Sequence, residues 1–315
     1  MEKKSAIFFG TSNFSSIVLK DLINYSFINI IAVVSQPDRA IGRRRKIAPT
    51  KTKYMAVNNN IPVYQTNKLS GSKIENKLIS MRADFLITAS FGQFISNKLL
   101  NSAKIASINV HPSLLPKYRG AAPINWALIH NEKETGVTIM YMIKKMDAGD
   151  ILAEKRVPIL KKDTAGSLFK KLAIIGGDLL LKTIPKIVSN SIRPIPQNQS
   201  MVTFAPKINF KDTKINFYKQ NSYQVMGLIK GLSPKPGAFF LFKGKKIKVF
   251  FAELGPLKGK AGQISVKNKK QLAITASDGK TIYLKKIQLE GKKIMDIKDF
   301  LNGIGQTVKI GDWTN

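Results

Sequence analysis

Short apolar runs alternate with polar, helix-length stretches through roughly the first 190 residues. Residues 6–10, 28–35, 85–89 and 104–111 are each brief, rich in Ile, Val or Phe, and bounded by turn residues, which predicts buried strands. Helical periodicity lies between and after them, at 16–23, 72–81 and 123–130. Such alternation predicts an α/β fold: a doubly wound, mostly parallel, Rossmann-like sheet. The first turn, 9–14, holds one glycine where a dinucleotide fingerprint needs three at fixed spacing, so a nicotinamide or flavin site is rejected there.

The pattern changes after a long amphipathic helix at 165–188, with Pro185 as a kink point. Residues 189–209 contain Pro194, Pro196 and Pro206, have little periodicity, and are expected to link two domains. A helix at 222–232 is followed by short strands with hairpin-type turns at 243–245, 277–279 and 290–292. Evenly spaced short strands predict a small β-barrel, of the five-stranded oligonucleotide-binding (OB-like) type. The expected organisation is a first domain at 1–188, a linker at 189–209 and a smaller domain at 210–315.

Composition narrows the function classes. No apolar run in the 315 residues is long enough to cross a bilayer, and the start, Met1-Glu2-Lys3-Lys4-Ser5, lacks a secretory leader. There is no cysteine and only two histidines, which excludes thiolate or His-rich metal centres and predicts a metal-free cytosolic (cytoplasmic) protein. The net charge of +33 points to a polyanionic partner, nucleic acid first, although an AT-rich coding bias also enriches lysine. Location is therefore more informative than total. Residues 201–315 carry 22 Lys against 7 Asp plus Glu. A second concentration, Arg39, Arg43, Arg44, Arg45 and Lys46, follows the second predicted strand at the edge where open sheets bind ligands.

The most informative stretch for chemistry is 108–124. Asn109 and His111 stand two apart at the end of a strand, so a carboxamide and an imidazole point to one side, an arrangement suited to an oxyanion in acyl transfer. Pro112, Pro116, Gly120 and Pro123 then force irregular backbone. A second apolar strand, 137–142, leads to Met146-Asp147-Ala148-Gly149-Asp150, which offers a carboxylate to orient or charge the histidine. Taken singly, Asn109 reads as a turn residue, Asp147 as a cap and a lone histidine as structural; the combination favours catalysis. His130, at a helix end, is given no catalytic role.

These residues resemble the folate-dependent formyltransferases: Asn-x-His with Ser-Leu-Leu-Pro and Arg-Gly-Ala-Ala-Pro-Ile, followed by Met-Asp-Ala-Gly-Asp. The resemblance extends over the basic insertion 36–53 and over 234–240, and so over nearly the whole chain. It implies that 10-formyltetrahydrofolate donates a formyl group to the α-amine of methionine on initiator tRNA, without a metal. It implies Asn109, His111 and Asp147 as catalytic residues. It also implies that Ser113, Leu114, Leu115 and Pro116 line the tetrahydrofolate site, that Phe91, Gly92, Gln93, Phe94 and Ile95 wall the pterin pocket, and that the 39–46 loop holds the tRNA acceptor end. A monomer is expected. Pro112 stands where the family often has a smaller residue, a change that removes no reacting group. The competing readings are a sugar N-formyltransferase, which would not need the arginine-rich insertion, a glycinamide ribonucleotide formyltransferase, which needs only the first domain, a formyl-folate hydrolase, and an RNA-binding protein with a decayed catalytic domain.

Overall fold

A computed structural model describes residues 2–41, 46–257 and 259–314. They form two compact units, of which the first contains 1–123, 134–158 and 169–206, and the second 124–133, 159–168 and 207–315.

In chain order, the first unit and its insertions comprise β1 (Lys4–Gly10), α1 (Asn13–Ile23), β2 (Ile28–Ser35), β3 (Arg39–Ile41), β4 (Lys46–Ala48), α2 (Lys51–Val57), β5 (Val63–Gln65), α3 (Lys73–Ser80), β6 (Phe85–Ala89), α4 (Asn97–Leu100), β7 (Ala106–His111), α5 (Pro123–Ile129), β8 (Glu134–Tyr141), β9 (Ile151–Pro158) and α6 (Ala165–Val188). The main sheet runs β5-β2-β1-β6-β7-β8-β9. The pairings through β7 are parallel, whereas β7–β8 and β8–β9 are antiparallel. Ile7, Phe8, Phe9, Val33, Phe85 and Ile87 are fully buried, as expected for strands covered on both faces.

Ser12 caps α1, and its side chain and that of Ser15 satisfy each other's backbone N–H groups. At Gly10 a Cβ would lie 2.5 Å from the Ser15 Cβ, so the turn is built for helix packing rather than for a phosphate. The short ribbon β3–β4 pairs Arg39 with Ala48 and Ile41 with Lys46.

The expected linker is part of the fold. Residues 189–206 cluster with the first unit, Ile195 exchanges two backbone hydrogen bonds with Ile151, and Phe204 bridges to Arg119. Conversely, 124–133 and 159–168 cluster with the second unit. Here the side chain of Asn125 donates to the Gly231 carbonyl (2.7 Å), and a Cβ at Gly227 would come within 2.4 Å of the Ile129 carbonyl oxygen. Glycine permits this close helix packing, which the apolar pattern alone does not reveal.

The second unit contains α7 (Ser222–Leu232), β10 (Ala238–Phe242), β11 (Lys245–Leu257), β12 (Ile264–Lys267), β13 (Leu272–Thr275), β14 (Lys280–Leu289), β15 (Met295–Asp296) and α8 (Ile297–Asn302). Its antiparallel order, β10-β11-β14-β13-β12, is that of a small barrel-like domain closed over Phe217, Phe240, Val249, Ile274 and Ile287. The three expected hairpin turns fall between β10 and β11, β13 and β14, and β14 and β15. No helix among the described residues is long and apolar enough to cross a membrane.

Candidate active site

Strand β7 ends at the carboxyl edge of the parallel half of the sheet, and its last alternating pair, Asn109 and His111, points to one side. Neighbouring β8 runs antiparallel, with Thr138 opposite His111 and Tyr141 opposite Ile108, so the segment leaving β8 sets out beside the earlier part of β7 and turns back before β9. That return brings Asp147 to the pair. Asp147 Oδ1 is 3.4 Å from Asn109 Nδ2, and Oδ2 is 3.6 Å from His111 Nδ1. The three residues singled out by their spacing thus converge.

The other His111 nitrogen, Nε2, lies 3.0 Å from the Tyr118 carbonyl oxygen. A carbonyl only accepts, so Nε2 carries the hydrogen. The Nδ1 atom then faces Asp147 Oδ2. The contacts of Nδ1 and of Asn109 Nδ2 with Asp147 are long for hydrogen bonds, which leaves both donors able to turn towards a reacting oxygen.

Asp147 itself is held firmly. Its Oδ2 accepts the Gly120 N–H at 2.8 Å, and its φ of +50° lies in the left-handed region. Aspartate tolerates that region better than most residues, yet the conformation persists only where its surroundings enforce it. Gly120 has φ +124°, and a Cβ there would meet the Ala205 carbonyl oxygen at 2.7 Å, so only glycine brings its N–H to Asp147.

Residues 113–116 are tied to β8. The Thr138 hydroxyl donates to the Ser113 carbonyl (2.7 Å) and accepts the Leu115 N–H (3.2 Å), while the Ser113 hydroxyl donates to the Lys117 carbonyl. Ser113 and Leu115 are buried; Leu114 and Pro116 are half-buried. Of 91–95, Phe91 and Ile95 belong to the hydrophobic core, with Phe91 edge-on to Phe9. The Gln93 side chain bonds the Leu69 N–H and the Thr66 carbonyl. Gly92 and Phe94 are the two that stand exposed.

At the basic insertion, Arg39 and Lys46 are exposed on the β3–β4 ribbon, and Arg39 donates to Gln36 Oε1 (2.6 Å). Arg43, Arg44 and Arg45 lie outside the described residues. The ribbon's base is anchored by Lys53 Nζ on Asp38 Oδ2 (2.6 Å) and by Gln65 Nε2 on Asp38 Oδ1 (2.8 Å). These hydrogen bonds, Lys53 first, hold the Asp38 carboxyl below the usual carboxylate range.

Two residues at the site have no role read from the sequence, although Arg119 opens the Arg-Gly-Ala-Ala-Pro-Ile motif. Arg119, only 2% exposed, donates through Nε (3.0 Å) and Nη2 (2.7 Å) to Gln197 Oε1. Gln197 is also buried, and donates through Nε2 to the carbonyls of Asp147 (3.0 Å) and Gly149 (2.7 Å). Burial pushes the Arg119 guanidinium below its ordinary value, and the charge of Asp147 opposes that shift.

Comparison with known proteins gives the family and the fold. Residues 3–184 match the model of the formyl transferase family, and 207–305 match that of the formyl transferase C-terminal domain. The chain is 47% identical over 306 residues to the methionyl-tRNA formyltransferase of Streptococcus agalactiae, covering 97% of both chains. Among solved structures it superposes on WlaRD, a sugar 3N-formyl transferase crystallised with dTDP and 5-N-formyl-THF, with TM-score 0.66 and 21% identity, over 93% of this chain and all of that one. It also superposes on HypX from Aquifex aeolicus (TM-score 0.64, 16% identity, 98% of this chain), of which it spans about half the length. The two superpositions show a shared fold.

Proposed function

The chain belongs to the methionyl-tRNA formyltransferases and formylates the methionine carried by initiator tRNA; from that premise we propose that Asn109, His111 and Asp147 perform the transfer, with 10-formyltetrahydrofolate as the donor. The observation that carries this reading is the convergence of a carboxamide, an imidazole and a carboxylate at the carboxyl edge of the sheet.

The residues present fit a folate. A ring with a flexible one-carbon carrier needs an apolar wall and a polar end; half-buried Leu114 and Pro116 and exposed Phe94 offer apolar surface for the former, and Asn109 and His111 the latter. When bound, the folate supplies the activated formyl group. Asn109 Nδ2–H and His111 Nδ1–H face one volume and stabilise negative charge that develops on an oxygen there; each such donor is typically worth about 3 kcal/mol. His111 keeps its orientation through the Tyr118 carbonyl. Asp147 faces both side chains and relays the proton released by the attacking amine to the folate nitrogen as the formyl group leaves it.

The acceptor side follows from charge. The basic segment 39–46, with Arg39, Arg43, Arg44, Arg45 and Lys46, holds the tRNA acceptor end, and the lysine-rich second unit adds electrostatic affinity for the tRNA backbone. We place the enzyme in the cytoplasm as a monomer. The test is formyl transfer by the purified chain to Met-tRNA, with a nucleotide amino sugar as control acceptor. Transfer to tRNA alone, lost in both Asn109→Ala and His111→Ala with folate binding retained, is the expected result. Near-normal turnover in either variant overturns the assignment.

A further inference from the structure

The buried Arg119–Gln197 pair lies outside the roles assigned above and is unusual on physical grounds. A guanidinium removed from water normally meets a carboxylate. Here its Nε and Nη2 both donate to one neutral oxygen, Gln197 Oε1. The orientation of that carboxamide follows from its partners, because arginine only donates and backbone carbonyls only accept. All four of its hydrogen-bonding positions are occupied: two N–H groups of Arg119 on the oxygen, and the carbonyls of Asp147 and Gly149 on the nitrogen.

Both carbonyls flank the turn that gives Asp147 its left-handed backbone. That turn has no room to adjust on its other side, where a Cβ at Gly149 would overlap the Tyr141 carbonyl oxygen at 1.9 Å. The Asp147 carboxylate meanwhile accepts the N–H of Gly120, the residue after Arg119. Two routes therefore join the 118–120 loop to the 147–149 turn: a direct one through Gly120, and one through the Arg119 side chain and Gln197.

We propose that Gln197 is a positioning residue for formyl transfer: its amide nitrogen clamps the Asp147 turn so that the carboxylate faces His111, and Arg119 fixes which end of the amide points there. The proposal rests on the catalytic role of Asp147. Gln197 touches no reacting group. Its effect is expected in the chemical step, because a displacement of about 1 Å in a catalytic constellation costs on the order of a hundredfold in rate.

Two near-isosteric variants separate positioning from support of the fold. Gln197→Glu keeps an oxygen for Arg119, now as an ion pair, but sets a carboxylate oxygen against the Asp147 and Gly149 carbonyls. Were Gln197 present only to satisfy Arg119, this variant would keep both stability and activity. The positioning role instead predicts folate affinity and KM for Met-tRNA within about threefold, and kcat lowered by about 10- to 100-fold. Gln197→Met, which removes both contacts, should lower kcat similarly and Tm as well. An unchanged kcat in a folded Gln197→Glu chain overturns the proposal, as does a rise in KM that accounts for the whole defect. If Gln197→Glu does not fold, Gln197→Met carries the test; if neither folds, Gln197 supports the fold and the proposal fails. Asp147→Asn, measured alongside, separates this from failure of the site assignment. If that variant keeps full activity, the catalytic reading is wrong, whatever Gln197 does.

Discussion

Replacing Asn109 with aspartate tests the site more sharply than truncation does, because it changes one atom's chemistry at nearly constant shape. Asn109 Nδ2 lies 3.4 Å from Asp147 Oδ1, so Asn109→Asp sets two carboxylates at that separation. At an effective dielectric of about 20, two unit charges this close repel by about 5 kcal/mol. His111, 3.6 Å from Asp147, offsets part of this when charged, so the figure is a ceiling. The pair then retains one shared proton to a higher pH than either group would alone.

The sign of the pH effect follows. Above the ordinary carboxylate range the folded variant binds a proton that the unfolded chain has released, so stability falls as pH rises from about 4 through neutrality. Asn109→Ala shares the loss of the amide but has no such pair. The difference in Tm between the two variants should therefore widen with pH. Activity should follow the same proton. With both carboxylates ionised, a donor has been replaced by a repelling charge, and Asn109→Asp should fall below Asn109→Ala, itself about a hundred- to a thousandfold slower than the parent. As pH falls, the shared proton restores a donor, and the ratio of Asn109→Asp to parent activity should rise. Calorimetry from pH 4.5 to 8 and single-turnover formyl transfer over the range where tRNA survives give both readouts. A Tm difference independent of pH, together with equal rates for the two variants, would refute the proposed proximity of residue 109 to Asp147.

Thr88 sits opposite Asn109 in the β6–β7 register, and its buried hydroxyl has no hydrogen-bond partner among the described residues; Thr88→Val should stabilise the chain by about 1–3 kcal/mol. That corresponds to a Tm rise of about 2–4 °C per kcal/mol for a unit of this size, and a fall in Tm would show that the hydroxyl is satisfied. Asp38→Asn should lower Tm at neutral pH. Because the folded-state pKa of Asp38 is depressed, its contribution is complete above the ordinary carboxylate range and is lost as pH falls through the depressed value, so thermal scans of the two proteins should converge in acid; a constant gap contradicts the anchoring role. Replacing Arg43, Arg44, Arg45 and Lys46 with serine should reduce kcat/KM for Met-tRNA strongly and leave the folate Kd nearly unchanged. A defect that disappears with added salt would reduce the loop to long-range steering, since screening shortens to about 8 Å at physiological ionic strength.

The sequence by itself determined the elements and the placement of Asn109 and His111 on one side of a strand. Period-two and period-3.6 apolar patterns are local properties, so the strands at 28–35 and 85–89 and the helices at 165–188 and 222–232 have the bounds expected of them. The Asn109–His111 pair was equally legible, because residues two apart in a strand share a side whatever surrounds them. What remained was decided by contacts between distant segments. Asp147 reaches His111 because the segment after β8 folds back onto the end of β7, and no local pattern states that return. Residues 189–206, which lack periodicity and carry prolines, have the composition of a linker, yet they pack as irregular backbone in the first unit. Gln197 acquires its place there because a buried guanidinium and two buried carbonyls require partners, and that requirement arises only once the chain has closed around them.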